Sequence, residues 1–216
     1  HWLGKWPSTW AARCHRLGRC FSGVAAVIAF IPINNLRAKA QVSPMAEFTA
    51  PPSIDPNAAH AWQRRAPAHS PWLHEEVGRR MQDRLQWIVQ KPEAWCSWEP
   101  VYGGLEAHQQ VAERYPAADI HIVESRPAHA ALLRSQLDKP WWALSRWRQA
   151  KLHWGLPAPG SVQMLWANMA LHQHPNPQQL LQTWHQSLAV NGFVMFSCFG
   201  PDTLKELRAA YASQGW

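Results

Sequence analysis

The last quarter of the chain, Val162 to Ala210, constrains its fold more than any other stretch. It reads as a strand (Val162–Ala167), a polar loop, an amphipathic helix (Pro177–Leu188), an Asn191-Gly192 turn, a second strand (Phe193–Phe199) and a helix opened by Gly200-Pro201-Asp202. Two strands joined through a helix lie parallel, because the crossover carries the chain back to its starting end. The same alternation runs upstream. A strand over Ala94–Trp98 precedes a Gly103-Gly104 turn and a helix over Glu106–Tyr115. A β-branched strand, Ile120–Glu124, then leads into a helix over Pro127–Leu137. The Trp-rich stretch Pro140–His153 has room for one further strand near Ala150. Before all of these, Trp72, Leu73, Val77, Met81, Leu85 and Ile88 recur at helical spacing, with Ser70 placed to cap, Pro71 in the first turn, Glu75 and Glu76 near the start, and Pro92 beyond the end. The expected fold is α/β: a Rossmann-like, doubly wound, mostly parallel sheet with its ligand at the strands' carboxyl ends.

Charge divides the chain unevenly. The formal net charge is +7, from 21 Lys and Arg against 14 Asp and Glu. Residues 1–44 contain Lys5, Arg13, Arg16, Arg19, Arg37 and Lys39 and no acid, which leaves 15 basic and 14 acidic side chains in residues 45–216. A near-neutral domain has no electrostatic footprint for a polyanion, so nucleic acid is not an expected partner. Residues 1–44 form a basic and apolar extension. The apolar run Phe21–Ile33 and the small-residue site Ala38-Lys39-Ala40 are parts of a targeting segment, although the run is shorter than the roughly 20 residues of a membrane span. The plainer reading is an upstream reading frame, with translation starting at Met45. Residues 45–70 read as a Pro/Ala-rich arm with at most a short helix, and residues 71–216 as the folded domain. The four cysteines show no metal spacing; Cys96 and Cys198 fall in strands as small buried hydrophobes, and the expected location is cytoplasmic.

Chemistry-bearing residues gather at the first two strand ends. Glu99 and the Val101–Leu105 loop occupy a strand-to-helix turn where glycine lets backbone approach a ligand closely. About 25 residues on, Glu124 ends a strand, where a carboxylate can accept from both hydroxyls of a ribose.

Three stretches resemble the class I S-adenosylmethionine-dependent methyltransferases, and within them the malonyl-acyl carrier protein O-methyltransferases of the biotin pathway. They are Leu73-His74-Glu75-Glu76-Val77-Gly78-Arg79-Arg80-Met81, Ala167-Asn168-Met169-Ala170-Leu171-His172 and Phe196-Ser197-Cys198-Phe199-Gly200-Pro201-Asp202-Thr203-Leu204-Lys205-Glu206-Leu207-Arg208, with Leu156-Pro157 between the first and second. The resemblance covers about residues 70–214 and makes residues 71–216 a methyltransferase-like domain. It implies S-adenosylmethionine as cofactor, held by Glu99, Val101, Gly103, Gly104, Glu124, Leu152 and Asn168, and acyl carrier protein or another small-molecule acceptor as partner. The family's first loop has the form acid-x-Gly-x-Gly-x-Gly. Here Glu99 and Gly103 match, Val101 and Leu105 replace the outer glycines, and Leu152 stands where an acid is usual. The resemblance also implies that the sheet continues past Asp202 with an antiparallel hairpin, so a C-terminal truncation is expected.

Methyl transfer from a sulfonium to a carboxylate needs in-line positioning and exclusion of water, so no acid–base dyad is expected. A carboxylate acceptor calls for an Arg fork, for which Arg79, Arg84 and Arg208 are candidates; His172 directly follows the Asn168 strand and is a second candidate for the acceptor. His172, His174 and His185 read as loop and helix residues, not metal ligands. Trp141, Trp142, Trp147 and Trp154 read as core and lid packing. Because the loop departs from the family pattern, a methyltransferase-like binding module that performs no transfer stands as the alternative.

Overall fold

A computed structural model describes residues 26–32, 54–65, 67–137, 151–200 and 202–215. In chain order the elements are β1 (Ala26–Pro32), α1 (Pro56–Arg64), α2 (Trp72–Arg84), β2 (Ala94–Trp98), α3 (Pro100–Arg114), β3 (Asp119–Val123), α4 (Pro127–Leu137), β4 (Leu152–Trp154), β5 (Val162–Ala167), α5 (Pro177–Ser187), β6 (Leu188–Phe199) and α6 (Lys205–Ser213). They form one sheet in the order β1-β6-β5-β2-β3-β4. The β2–β3, β3–β4, β2–β5 and β5–β6 pairs are parallel, as the alternation of strands and helices predicts. β1, from the apolar run of the N-terminal extension, lies antiparallel on β6 with Ala26 opposite Phe199 and Pro32 opposite Phe193. Trp141, Trp142, Trp147 and the rest of 138–150 lie outside the described residues, as do Cys14 and Cys20.

The central strands β2, β5 and β6 are buried on both faces, residue by residue, whereas the edge strand β4 is exposed. Trp95 of β2, Met164 and Trp166 of β5, and Phe193 and Met195 of β6 face one core with Val77, Met81, Leu85, Val111 and Leu133. Their neighbours Cys96, Leu165, Ala167, Val194 and Phe196 face the other, against Leu180 and Trp184 of α5. Apolar residues in unbroken runs are what a strand covered on both sides requires. Cys96 is one of these buried hydrophobes, and burial pushes its thiol up to about 12.

α2 and α3 cross at close range because Gly78 has no side chain. A Cβ there would meet Ala107 Cβ at 2.6 Å and Asn168 Nδ2 at 3.0 Å. Gly78→Ala is therefore expected to cost about 1–3 kcal/mol, read as a lowered midpoint in a thermal melt followed by circular dichroism.

Several expected boundaries move, β3 to Asp119–Val123 and the end of α5 to Ser187 by one residue and three others by more. The helix placed over Glu106–Tyr115 begins at Pro100, which sits at the first helical position, and only Gly104 departs from helical angles inside it (φ 126°, ψ 95°). The Asn191-Gly192 turn is absorbed into β6: Asn191 takes φ 68°, and the β5 pairing slips between Val162 and Met164. The helix expected from Asp202 starts at Lys205, after Leu204 in the left-handed region.

Candidate functional site

The strand order reverses between β2 and β5, since the chain runs outward to β3 and β4 on one side and to β6 on the other. In such sheets the crevice beyond the carboxyl ends at the reversal is where a ligand binds. Glu99 follows β2, Glu124 follows β3 and Asn168 follows β5, so the topology brings these three expected residues to one end of the sheet.

Glu99 turns the chain out of β2 in a left-handed conformation (φ 47°, ψ 56°), a strained geometry for a side chain with a Cβ. Its neighbours fix it there. The Glu99 N–H donates to the Val123 carbonyl at 2.7 Å, and its carbonyl accepts from Gly103 N–H at 2.8 Å. Glu99 Oε1 takes the Ser125 hydroxyl at 2.6 Å, and Oε2 lies 3.7 Å from Arg126 Nη1. Val101 is fully buried, and Leu105 packs partly buried against the same core, so the two residues replacing glycines serve as packing residues. Gly103 is needed for contact: a Cβ on it would stand 2.9 Å from the Asn168 carbonyl oxygen.

The helix restarts after Gly104, and its open N–H groups are met from a distance. Glu75 of α2 accepts from Leu105 N–H at 2.8 Å and from Glu106 and Ala107 N–H at 3.3 Å each. Ser70 accepts from Leu105 N–H at 3.0 Å and donates to the Val101 carbonyl at 2.6 Å. Ser70 thus does not cap α2 as expected; Pro71 holds that position with no side-chain cap. A helix N-terminus attracts an anion, and this one is filled by the chain's own carboxylate.

Glu124 has a fully buried side chain. Its Oε1 accepts from Arg126 N–H at 3.2 Å, while Oε2 has no partner among the described residues. Burial, reinforced by the Glu99 carboxylate, raises its carboxyl to about 7; the N–H groups of Arg126 and Val101 and the Arg126 charge oppose the shift. His129 Nδ1 stands 3.7 Å from Oε1, its Nε2 hydrogen-bonded to the Pro67 carbonyl at 2.9 Å.

Asn168 is a clamp. Its Nδ2 donates to the carbonyls of His74 (2.7 Å) and Gly103, and its Oδ1 accepts from Ser197 Oγ at 2.5 Å. Three elements, α2, the first turn of α3 and β6, are tied at one buried amide. His74 donates from Nδ1 to the Tyr102 carbonyl at 2.8 Å, and burial lowers its basicity. His172, in the short helical turn after β5, lies 4.3 Å from the Phe199 ring, has no Nδ1 partner among the described residues and is held down at about 4 by burial and by His74.

Other expected residues do not join this group. Arg79 is half-exposed on α2 and commits its guanidinium to Glu76 and Asp83 at 3.0–3.1 Å. Leu152 is a partly exposed residue of the edge strand β4, paired with Ile120. Arg208 lies exposed on α6. Trp154, expected in core or lid packing, is 37% exposed with Arg134 stacked on its ring at 4.6 Å. Sequence reading assigned no site role to Ser70, Glu75, Tyr102 or Arg126. For Arg126 there was a signal, since it stands two residues beyond the strand-end acid.

Between Trp98, Glu99, Arg126, Gln173 and His174 the crevice keeps a cavity of about 10 Å³, room for one water molecule. No group of three or more metal-ligating side chains occurs among the described residues, and no described helix is long and apolar enough to cross a membrane.

No family model matches the chain. Curated relatives do. The malonyl-acyl carrier protein O-methyltransferase of Halorhodospira halophila is 33% identical over 144 residues, which are 66% of this chain and 47% of that protein. That of Laribacter hongkongensis is 35% identical over 156 residues, 65% of this chain and 48% of that protein. That of Gallionella capsiferriformans is 33% identical over 158 residues, 64% and 49%. The chain spans about half the length of these relatives. Among solved structures, the plantazolicin methyltransferase BpumL, determined with a pentazolic desmethylPZN analogue and SAH, matches 70% of this chain and 57% of its own at 11% identity and a TM-score of 0.42. The chain is a relative of the malonyl-acyl carrier protein O-methyltransferases, with the Rossmann-like sheet of the class I S-adenosylmethionine-dependent methyltransferases.

Proposed function

We propose that the chain is the nucleoside-binding part of an S-adenosylmethionine-dependent O-methyltransferase. Its acceptor is the free carboxylate of malonyl-acyl carrier protein, in biotin biosynthesis in the cytoplasm. The observation that carries this reading is Glu124: a fully buried carboxyl at the crevice end of β3, with one oxygen unpartnered, in a chain with these relatives. A buried acceptor without a donor is costly unless a ligand supplies one, and a ribose hydroxyl is such a donor. The donor set therefore fits the cofactor. Glu124 would hold the ribose, the loop from Glu99 through Val101, Gly103 and Gly104 would face the methionine part, and Leu152 would offer the base an apolar contact only. Asn168 would support that loop from behind. The crevice is far smaller than the several hundred Å³ such a ligand needs, so its wall must shift to admit one.

When bound, S-adenosylmethionine supplies an electrophilic methyl group on a sulfonium sulfur. The chain's own residues have the simpler tasks of placing the acceptor and excluding water. An acceptor carboxylate is ionised at neutral pH and needs no general base. His74 and His172, both held neutral by burial, form an uncharged wall beside the clamp at Asn168.

The small crevice, and the helix N-terminus already filled by Glu75, favour a second reading: a binding module that performs no transfer. A transfer assay separates the two. Incubation of the chain with methyl-labelled S-adenosylmethionine and malonyl-acyl carrier protein is expected to yield a labelled, base-labile methyl ester. Label on a different small acid would keep the enzyme and change the acceptor; no label on any acceptor would favour the module.

A further inference from the structure

Arg126 is a buried cation with two guanidinium nitrogens that the described residues leave without a hydrogen-bond partner. Its side chain is 9% exposed, yet Nε and Nη1 have no hydrogen-bond partner among the described residues. The nearest carboxylate, Glu99 Oε2, is 3.7 Å from Nη1, beyond hydrogen-bond range, and Glu99 Oε1 is already committed to Ser125. The guanidinium carbon lies 4.8 Å from the Tyr102 ring centre, a contact that holds the cation without satisfying its donors. A guanidinium cannot lose its proton to relieve this, so its open donors call for an acceptor, which a bound carboxylate can supply. They border the cavity at the carboxyl ends of β2 and β3, where the polar neighbours are Glu99, Gln173 and His174. Glu124 and His129 complete the charged and titratable groups around Arg126.

We infer that Arg126 is the carboxylate-reading residue of this crevice. The inference rests on the reading that the crevice takes a methyl donor and a carboxylate acceptor, because either one brings a carboxylate: the amino-acid end of the donor, or the acceptor itself. Glu99 is the internal competitor. It holds the cation in place when the crevice is empty and must yield when a carboxylate arrives. Arg79, the expected fork, is spent on its own helix and does not compete for the role.

Calorimetric titration of the full chain tests this with three probes: S-adenosylhomocysteine, 5′-methylthioadenosine, which lacks the amino-acid carboxylate, and malonate. If Arg126 reads the donor, Arg126→Ala weakens S-adenosylhomocysteine at least tenfold and leaves methylthioadenosine unchanged. If it reads the acceptor, Arg126→Ala weakens malonate at least tenfold and leaves both nucleosides unchanged. In either case Arg126→Lys, which keeps the charge, recovers part of the loss, and Glu99→Gln tightens severalfold the one ligand whose carboxylate Arg126 reads, by removing the competitor. Equal losses for S-adenosylhomocysteine and methylthioadenosine would show that the residue only supports the fold and would overturn the inference. Unchanged binding of S-adenosylhomocysteine and malonate would do the same. Failure of the wild-type chain to bind either nucleoside strikes the cofactor reading instead, and malonate binding then decides the role of Arg126 alone.

Discussion

Replacing Glu124 with glutamine is expected to stabilise the folded chain by about 2–3 kcal/mol more at pH 8 than at pH 5. Burial and the nearby Glu99 carboxylate raise the Glu124 carboxyl to about 7 from an ordinary 4.5. Between those two values the folded chain holds a proton that the unfolded chain has released, so stability falls as pH rises through the window. Above pH 7 the buried carboxylate is ionised at a cost, and a neutral amide of the same shape removes that cost. Denaturant unfolding at the two pH values reads the difference directly. An effect of equal size at both would mean that Glu124 contributes through packing and not through its charge. The same substitution turns one of the two carboxylate oxygens into an NH2 donor, leaving a single acceptor that Arg126 N–H already engages, so a gain in stability and weakened nucleoside binding are expected together. That opposition is a mark of residues kept for function at the expense of fold.

Asn168→Ala is expected to cost about 3–5 kcal/mol, because it strips partners from the buried carbonyls of His74 and Gly103 and from the Ser197 hydroxyl. Asn168→Asp should be no better: it keeps the acceptor for Ser197 but sets a carboxylate against two carbonyl oxygens in a site 2% exposed. Unfolding of both variants against wild type is the measurement. A cost under 1 kcal/mol for the alanine variant would show that the three elements are held by packing alone.

These residues also mark where the sequence was legible. β2, α4 and β5 fall within their expected bounds because local signals punctuate them: Pro92 before β2, Pro127 at the first turn of α4, and an unbroken apolar run in β5. The parallel order followed from the helices between strands. The acids Glu99 and Glu124 directly follow β2 and β3, as the local pattern of the strand ends predicts. What stayed hidden depends on contacts between residues far apart in the chain. Glu75 reads as an ordinary first-turn acid of α2, yet it caps a helix 30 residues away. Ser70 reads as a cap of α2 and instead bonds the start of α3, 31–35 residues on. The helical character of Pro100–Gly103 was masked by the glycine pair, of which only Gly104 needs a left-handed backbone. Arg79 had the right chemistry for an acceptor fork, but i,i+3 and i,i+4 acids on its own helix claim it. No sequence pattern announces that Arg126 is buried with open donors; only the packing of Tyr102 and Glu99 around it does.

The most direct test of the account is calorimetric titration of S-adenosylhomocysteine into the full chain at pH 8, beside Glu124→Ala and the control Arg79→Ala. The account predicts saturable one-to-one binding, weakened at least tenfold in Glu124→Ala and unchanged in Arg79→Ala. No heat of binding at millimolar ligand, from wild-type protein shown to be folded by its near-ultraviolet circular dichroism, would contradict it and leave a methyltransferase fold without methyltransferase chemistry.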